Sequence, residues 1–127
     1  MCSTSPRAQA YTEALRELTG WTHHVLLPVY GRETTSNALW CSRWWLHQEA
    51  VMSLHGLFLA WQELTSAEAG LTGPASWHRD FLGPVMDSLR APSGPFAGCK
   101  PGRHRDKEQP PVEVIDPFGL EPAAKES

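Results

Sequence analysis

HQEAVMSLHGLFLAWQEL, residues 47–64, decides the fold. Its apolar positions are Ala50, Val51, Leu54, Leu57, Phe58, Trp61 and Leu64. They recur at i, i+3, i+4 and i+7, the stripe of an amphipathic helix with one buried face. Ser53, Gln62 and Glu63 fall on the opposite face. At 1.5 Å per residue such a helix is about 27 Å long, enough to be the central element of a small domain. No stretch elsewhere alternates with the period of two that a half-buried strand needs. The pattern predicts an all-α fold of about four helices, with a long C-terminal loop.

Working towards the N-terminus, Ser5-Pro6 offers an N-cap followed by proline at the first helical position. Ala8, Tyr11, Ala14, Leu15 and Leu18 then share one face, and Thr19-Gly20 supplies a stop. A second short helix or turn is expected over Trp21–Tyr30, ended or kinked by Pro28. Thr34-Thr35-Ser36-Asn37 reads as a polar loop. Towards the C-terminus, residues 65–73 form a loop and Pro74 opens a last helix. That helix carries Trp77, Phe81, Leu82, Val85 and Leu89 inward and is kinked at Gly83-Pro84. A long loop should then run from Arg90 to Cys99.

The helical domain is therefore expected over residues 5–99, with residues 100–127 mostly a disordered tail. Five of the 11 prolines lie after Cys99, and charges of both signs are mixed among them. Such a segment has little apolar surface to offset its ordering entropy. Only Val112-Glu113-Val114-Ile115 offers a cluster that can pack.

The 127 residues suit one ordinary domain. No apolar run approaches the roughly 18 residues of a membrane span. The first residues lack the basic-then-apolar layout of a signal peptide, so a cytoplasmic protein is expected. The net charge of −3 argues against a whole surface devoted to DNA. The basic cluster Lys100, Arg103, Arg105 and Lys107 still allows a local phosphate contact, although Asp106 and Glu108 dilute it. Five of the six tryptophans fall within residues 21–61, and Trp44, Trp45, Trp61 and Trp77 read mainly as core. One exposed tryptophan at an interface fits the same pattern.

Three cysteines are an odd number for a disulfide framework. Two of them stand in pairs with histidine, Cys41-x5-His47 at the entrance to the central helix and Cys99-x4-His104 far downstream. Two thiolates and two imidazoles are the donor set of a closed, tetrahedral structural zinc site. Cys41, His47, Cys99 and His104 are thus the candidate metal ligands and zinc the candidate cofactor. Packing thiols and a Cys41–Cys99 disulfide are the alternatives.

Catalytic patterns fare poorly. His47-Gln48-Glu49 followed by Pro95-Phe96-Ala97-Gly98-Cys99 imitates the zinc-deaminase signature, yet Phe96 stands where that signature needs a thiolate. Nucleophile elbows and phosphate-binding glycine loops are missing. His78 and Asp80 project to different sides of one helix, and His23-His24 have no evident partners in the sequence. A metal hydrolase with Glu49 as general base ranks below an accessory or interaction protein and below a nucleic-acid-binding factor.

Several strings occur in a specific order: Leu27-Pro28-Val29-Tyr30, Trp40-Cys41-x2-Trp44-Trp45-x-His47-x-Glu49-Ala50, Leu57-x3-Trp61, Trp77-x-Arg79-Asp80 and Gly94-Pro95-Phe96-x2-Cys99. In these the chain resembles a family of small actinobacterial domains of unknown function, often carried on plasmids and integrated mobile elements. The resemblance covers about residues 21–99 and implies no established activity. Relatives often have proline at the place of Gln48, and His or Asp within the stretch that here reads Phe81-Leu82-Gly83-Pro84-Val85. Any polar site those residues form in relatives is incomplete here. Cys41, His47 and Cys99 match the pattern, which favours the metal site.

Overall fold

The computed structural model describes residues 5–114 and 116–119. Ser5 Oγ accepts from the Ala8 N–H at 3.1 Å, the expected N-cap, and opens α1 (Pro6–Trp21). A wide π-turn over Thr22–Leu26 passes directly into α2 (Leu27–Tyr30). The central helix α3 (Gln48–Leu64) follows a 3₁₀ turn at Trp44–Leu46. A second composite rod consists of α4 (Gly73–Trp77), a π-turn at His78–Leu82 and α5 (Gly83–Arg90). Among the described residues, β-pairing is limited to the isolated bridges Thr35–Ala38 and Lys100–Arg103. The all-α reading stands. No described helix is long and apolar enough to cross a membrane.

The helices form about three continuous rods rather than four, and the prolines explain the difference. Proline lacks an N–H, and its ring presses on the carbonyl four residues back. Just before Pro28 the Leu27 N–H reaches Thr22 O, and just before Pro84 the Gly83 N–H reaches His78 O. Each is an i→i−5 bond, so one extra residue in the turn gives the ring room and the helix continues. The expected stop at Thr19-Gly20 is likewise overrun.

α3 lies against α1, α4 and α5. Ala50, Leu54, Leu57 and Phe58 are buried, with Val51, Trp61 and Leu64 packed at the margin, as the stripe predicts. Trp21 is the aromatic hub, its ring 5.0 Å from Phe58, 5.7 Å from Trp61 and 6.3 Å from Trp77. The Trp77 indole N–H donates to Leu57 O at 3.1 Å, tying the third rod to the second. Three residues of the expected apolar faces are turned out: Ala8 and Tyr11 on the first turns of α1 and Phe81 in the second π-turn are exposed. Met86 and Leu89 complete the inner face of α5. The π-turn shifts the helical register by about one residue, so the period read across Gly83-Pro84 slips. Trp44 is core, whereas Trp45 is half exposed.

Arg90 closes α5 and is buried. Its guanidinium donates to the carbonyls of Arg32 at 2.8 Å, Glu33 at 3.1 Å and Leu39 at 3.1 Å. The polar loop after Tyr30 is thereby fastened to the last helix. Burial, and then the nearby Arg32, lower the Arg90 pKa from its usual value.

The chain does not leave the domain at Cys99, in contrast to the expected tail. Lys100 and Arg103 exchange backbone hydrogen bonds of 2.9 and 2.8 Å around Pro101-Gly102, with Gly102 at φ +74°. Lys107 Nζ then donates to Gly94 O at 3.4 Å. Beyond this return Val112, Val114 and Phe118 are exposed, so the described apolar residues of the tail do not pack. Ile115 and the last eight positions of the expected tail, 120–127, lie outside the described residues.

Candidate metal centre

Buried positions from Cys41 into α3 repeat every third residue: Cys41, Trp44, His47 and Ala50. That period belongs to the 3₁₀ turn at Trp44–Leu46, where residues i and i+3 eclipse. It delivers a thiol and an imidazole to the same side of the chain. Trp44 between them is held by its own bond, the indole N–H donating to His23 Nε2 at 3.0 Å. His23 therefore has the close partner that the sequence did not reveal.

The second pair arrives from the far side. Phe96 is fully buried, with its ring 5.2 Å from His47 and 4.9 Å from Trp40, and it seats the loop that ends in Cys99. The residue that spoils the deaminase signature is thus a packing anchor. Gly98, at φ +86°, lets the chain turn, and a Cβ there would run into Arg105 Cδ. The turn at Pro101-Gly102 then swings His104 back over Cys99.

All four predicted ligands converge. One donor atom each from Cys41, His47, Cys99 and His104 lies within 4.8 Å of every other. Cys41 Sγ is 3.3 Å from His104 Nδ1, and Cys99 Sγ is 3.5 Å from His47 Nε2 and 4.0 Å from His104 Nδ1. Donors around one tetrahedral zinc stand roughly 3.3–3.8 Å apart, given bonds of ~2.3 Å to sulfur and ~2.0–2.1 Å to nitrogen. The donor set fits that ion; the 3.3 and 3.5 Å separations match its edges, and the longer ones, up to 4.8 Å, would shorten by about 1 Å around it. Both cysteines are free thiols and buried, as is His47, while His104 is partly buried. The third cysteine, Cys2, lies outside the described residues.

The surroundings prepare the donors. His104 Nε2 pairs with Asp106 Oδ1 at 2.7 Å, which puts the ring proton on Nε2 and leaves the Nδ1 lone pair facing the sulfurs. A carboxylate behind a ligating imidazole fixes its tautomer and raises its basicity. The Arg105 N–H donates to Cys99 Sγ at 3.3 Å, and the backbone of Arg43 hydrogen-bonds Cys41. Burial, then His104, push the His47 pKa below its ordinary 6.5, favouring the neutral ring that a metal requires. Burial pushes the Cys41 thiol above its ordinary 9.0, with the neighbouring Cys99 adding to the rise. Without a cation the Cys41 sulfur keeps its proton.

Asp106 is the functional residue that sequence reasoning missed. Its signal was the spacing His104-x-Asp106, hidden in a run of mixed charge taken for a tail. Glu49 stands on the exposed first turn of α3, outside the four-donor cluster. It shares a cleft of about 600 Å³ with His47, Pro95, Asp106 and Glu108.

No curated protein matches this chain, and no solved structure does. The family described as "Domain of unknown function (DUF4913)" matches residues 15–117. That span takes in all three helical rods except the first turns of α1, and it contains Cys41, His47, Cys99, His104 and Asp106. The chain belongs to the DUF4913 family.

Proposed function

We propose that this chain is a small accessory or interaction domain whose fold is completed by a structural zinc ion on Cys41, His47, Cys99 and His104. The observation that carries the reading is the convergence of those four donor atoms within 4.8 Å. Buried thiols that only fill space have no need of two imidazole nitrogens turned towards them. Four protein donors close a tetrahedron, the mark of structural rather than catalytic zinc, so Glu49 has no open metal position to serve. When bound, the metal joins the entrance of the central helix to the loop returning after the last one. Free thiols suit a reducing compartment, in keeping with a cytoplasmic protein. The mobile-element setting implied by the motif resemblance fits an accessory role.

Elemental analysis of protein purified without added metal tests this directly. About one zinc per chain is expected, together with a lower Tm after chelation. Less than one zinc for every two chains overturns the reading.

A further inference from the structure

The sequence gives the net charge as −3, but the cations are unevenly placed. Lys100, Arg103, Arg105 and Lys107 occupy the turn that carries Cys99 and His104, and all four are exposed. The mutual hydrogen bonds of Lys100 and Arg103 make them directly opposed residues of a bridge, whose side chains lie on the same face. Arg105 lies across the bare Cα of Gly98, so that glycine makes room for the guanidinium stem.

Asp106 and Glu108 offset two of the four charges, since Asp106 stays exposed beside His104, and residues 100–108 carry a net charge of +2. Glu108 remains at the margin, in the cleft shared with Glu49. Elsewhere Arg16 is paired with Glu13 and Arg79 with Asp80, and Arg90 is buried on carbonyls. A zinc with two thiolates and two neutral imidazoles has no net charge, so the loaded centre leaves the positive balance of the turn as it is.

We propose that the turn from Lys100 to Lys107 is a contact surface for the phosphate backbone of a nucleic acid. The proposal rests on the metal reading in one respect: the metal holds the turn in shape. Closely spaced cations on a fixed loop favour a polymer of regularly spaced phosphates, because each contact releases condensed counterions. Base readout is not required of it. The half-exposed Trp45 lies in a different recess, with Tyr11 and Leu15, and takes no part.

Binding of a fluorescent 20-base-pair DNA of mixed sequence, followed by anisotropy from 50 to 200 mM NaCl, tests the surface. Four phosphate contacts predict a log–log salt slope of about −3.6, a loss of roughly 100-fold in affinity over that range. The double variant Lys100→Ala/Arg103→Ala should keep its zinc, weaken binding and flatten the slope by about 1.8. A slope unchanged by that variant, or no binding at 50 mM NaCl, overturns the proposal. Equal competition by polyglutamate of matched charge also overturns it, because any polyanion would then serve. Metal analysis separates the two readings. Protein that is metal-free as purified and still binds DNA through Lys100 and Arg103 sustains the phosphate surface and overturns the zinc. Metal-loaded protein with no affinity for DNA does the reverse.

Discussion

Cys99 Sγ lies 3.5 Å from His47 Nε2 across 52 residues of chain. That contact places the first turn of α3 against the loop that follows α5, so two distant segments meet at a single pair of donors. If an ion joins them, Cys41 and Cys99 cease to be independent. Cys41→Ser and Cys99→Ser should each remove most of the metal-derived stability, and the double variant should lose little more. A coupling energy in the upper part of the ~0.5–3 kcal/mol range is expected from denaturant unfolding. Additive losses would mean two packing thiols.

The pH response should differ between loaded and metal-free protein. His47 is held below its ordinary 6.5, so the unfolded chain protonates first. Stability present above about pH 6.5 is lost as the pH falls through the lower folded value. Cys41 is the mirror case: stability present below about pH 9.0 is lost as the pH rises through the raised folded value. Zinc takes the thiolate, so loading should remove the alkaline limit while protons still expel the metal in acid. Tm measured across pH, with and without chelator, checks this. An equal alkaline decline in both forms counts against the centre.

Asp106 would act on a bound metal only through His104. Asp106→Asn should therefore weaken zinc by about 10–100-fold in a chelator competition while the helices keep their circular dichroism. Unaltered affinity would reduce Asp106 to a surface partner.

The core makes a simpler demand. Leu54 is fully buried and Trp45 is half exposed. Leu54→Ala should cost about 2–5 kcal/mol, whereas Trp45→Ala should stay within about 1 kcal/mol. Reversal of that order would place the interior of the protein elsewhere.

Thr22 is the opposite kind of site. Its Oγ1 is buried without a hydrogen-bond partner at the start of the first π-turn. Thr22→Val replaces that hydroxyl with a methyl of similar size, and a gain of about 1 kcal/mol is expected. Destabilisation by a similar amount would show that the hydroxyl is satisfied in solution.

How much of this was written in the sequence depends on the range of the forces involved. The α3 stripe was legible because one face of one helix meets one core, and period alone encodes it. The four donors were legible as two local pairs, since Cys-x5-His and Cys-x4-His restrict each pair to a short reach. Their meeting was not, because it depends on Phe96 seating the return loop and on Gly98 and Gly102 turning it. The helix count slipped at Pro28 and Pro84, where proline rules predict a stop but a one-residue widening satisfies the same sterics. Arg90 had no sequence signal at all. Its partners are main-chain carbonyls, which every residue possesses. The bond from the Tyr30 hydroxyl to His78 Nε2, 2.7 Å across the two composite rods, is equally silent.

The separation of 63 positions from Cys41 to His104 also sets an order of events during synthesis. A chain emerging from the ribosome can wind α1 and α3 early, since their turns need only neighbouring residues. If an ion joins the four donors, that centre cannot close until His104 has cleared the exit tunnel, well after α5. For that interval Cys41 and His47 would wait as a half-site, open to the wrong partner. Completion of such a centre would be a late step, timed by the delivery of His104.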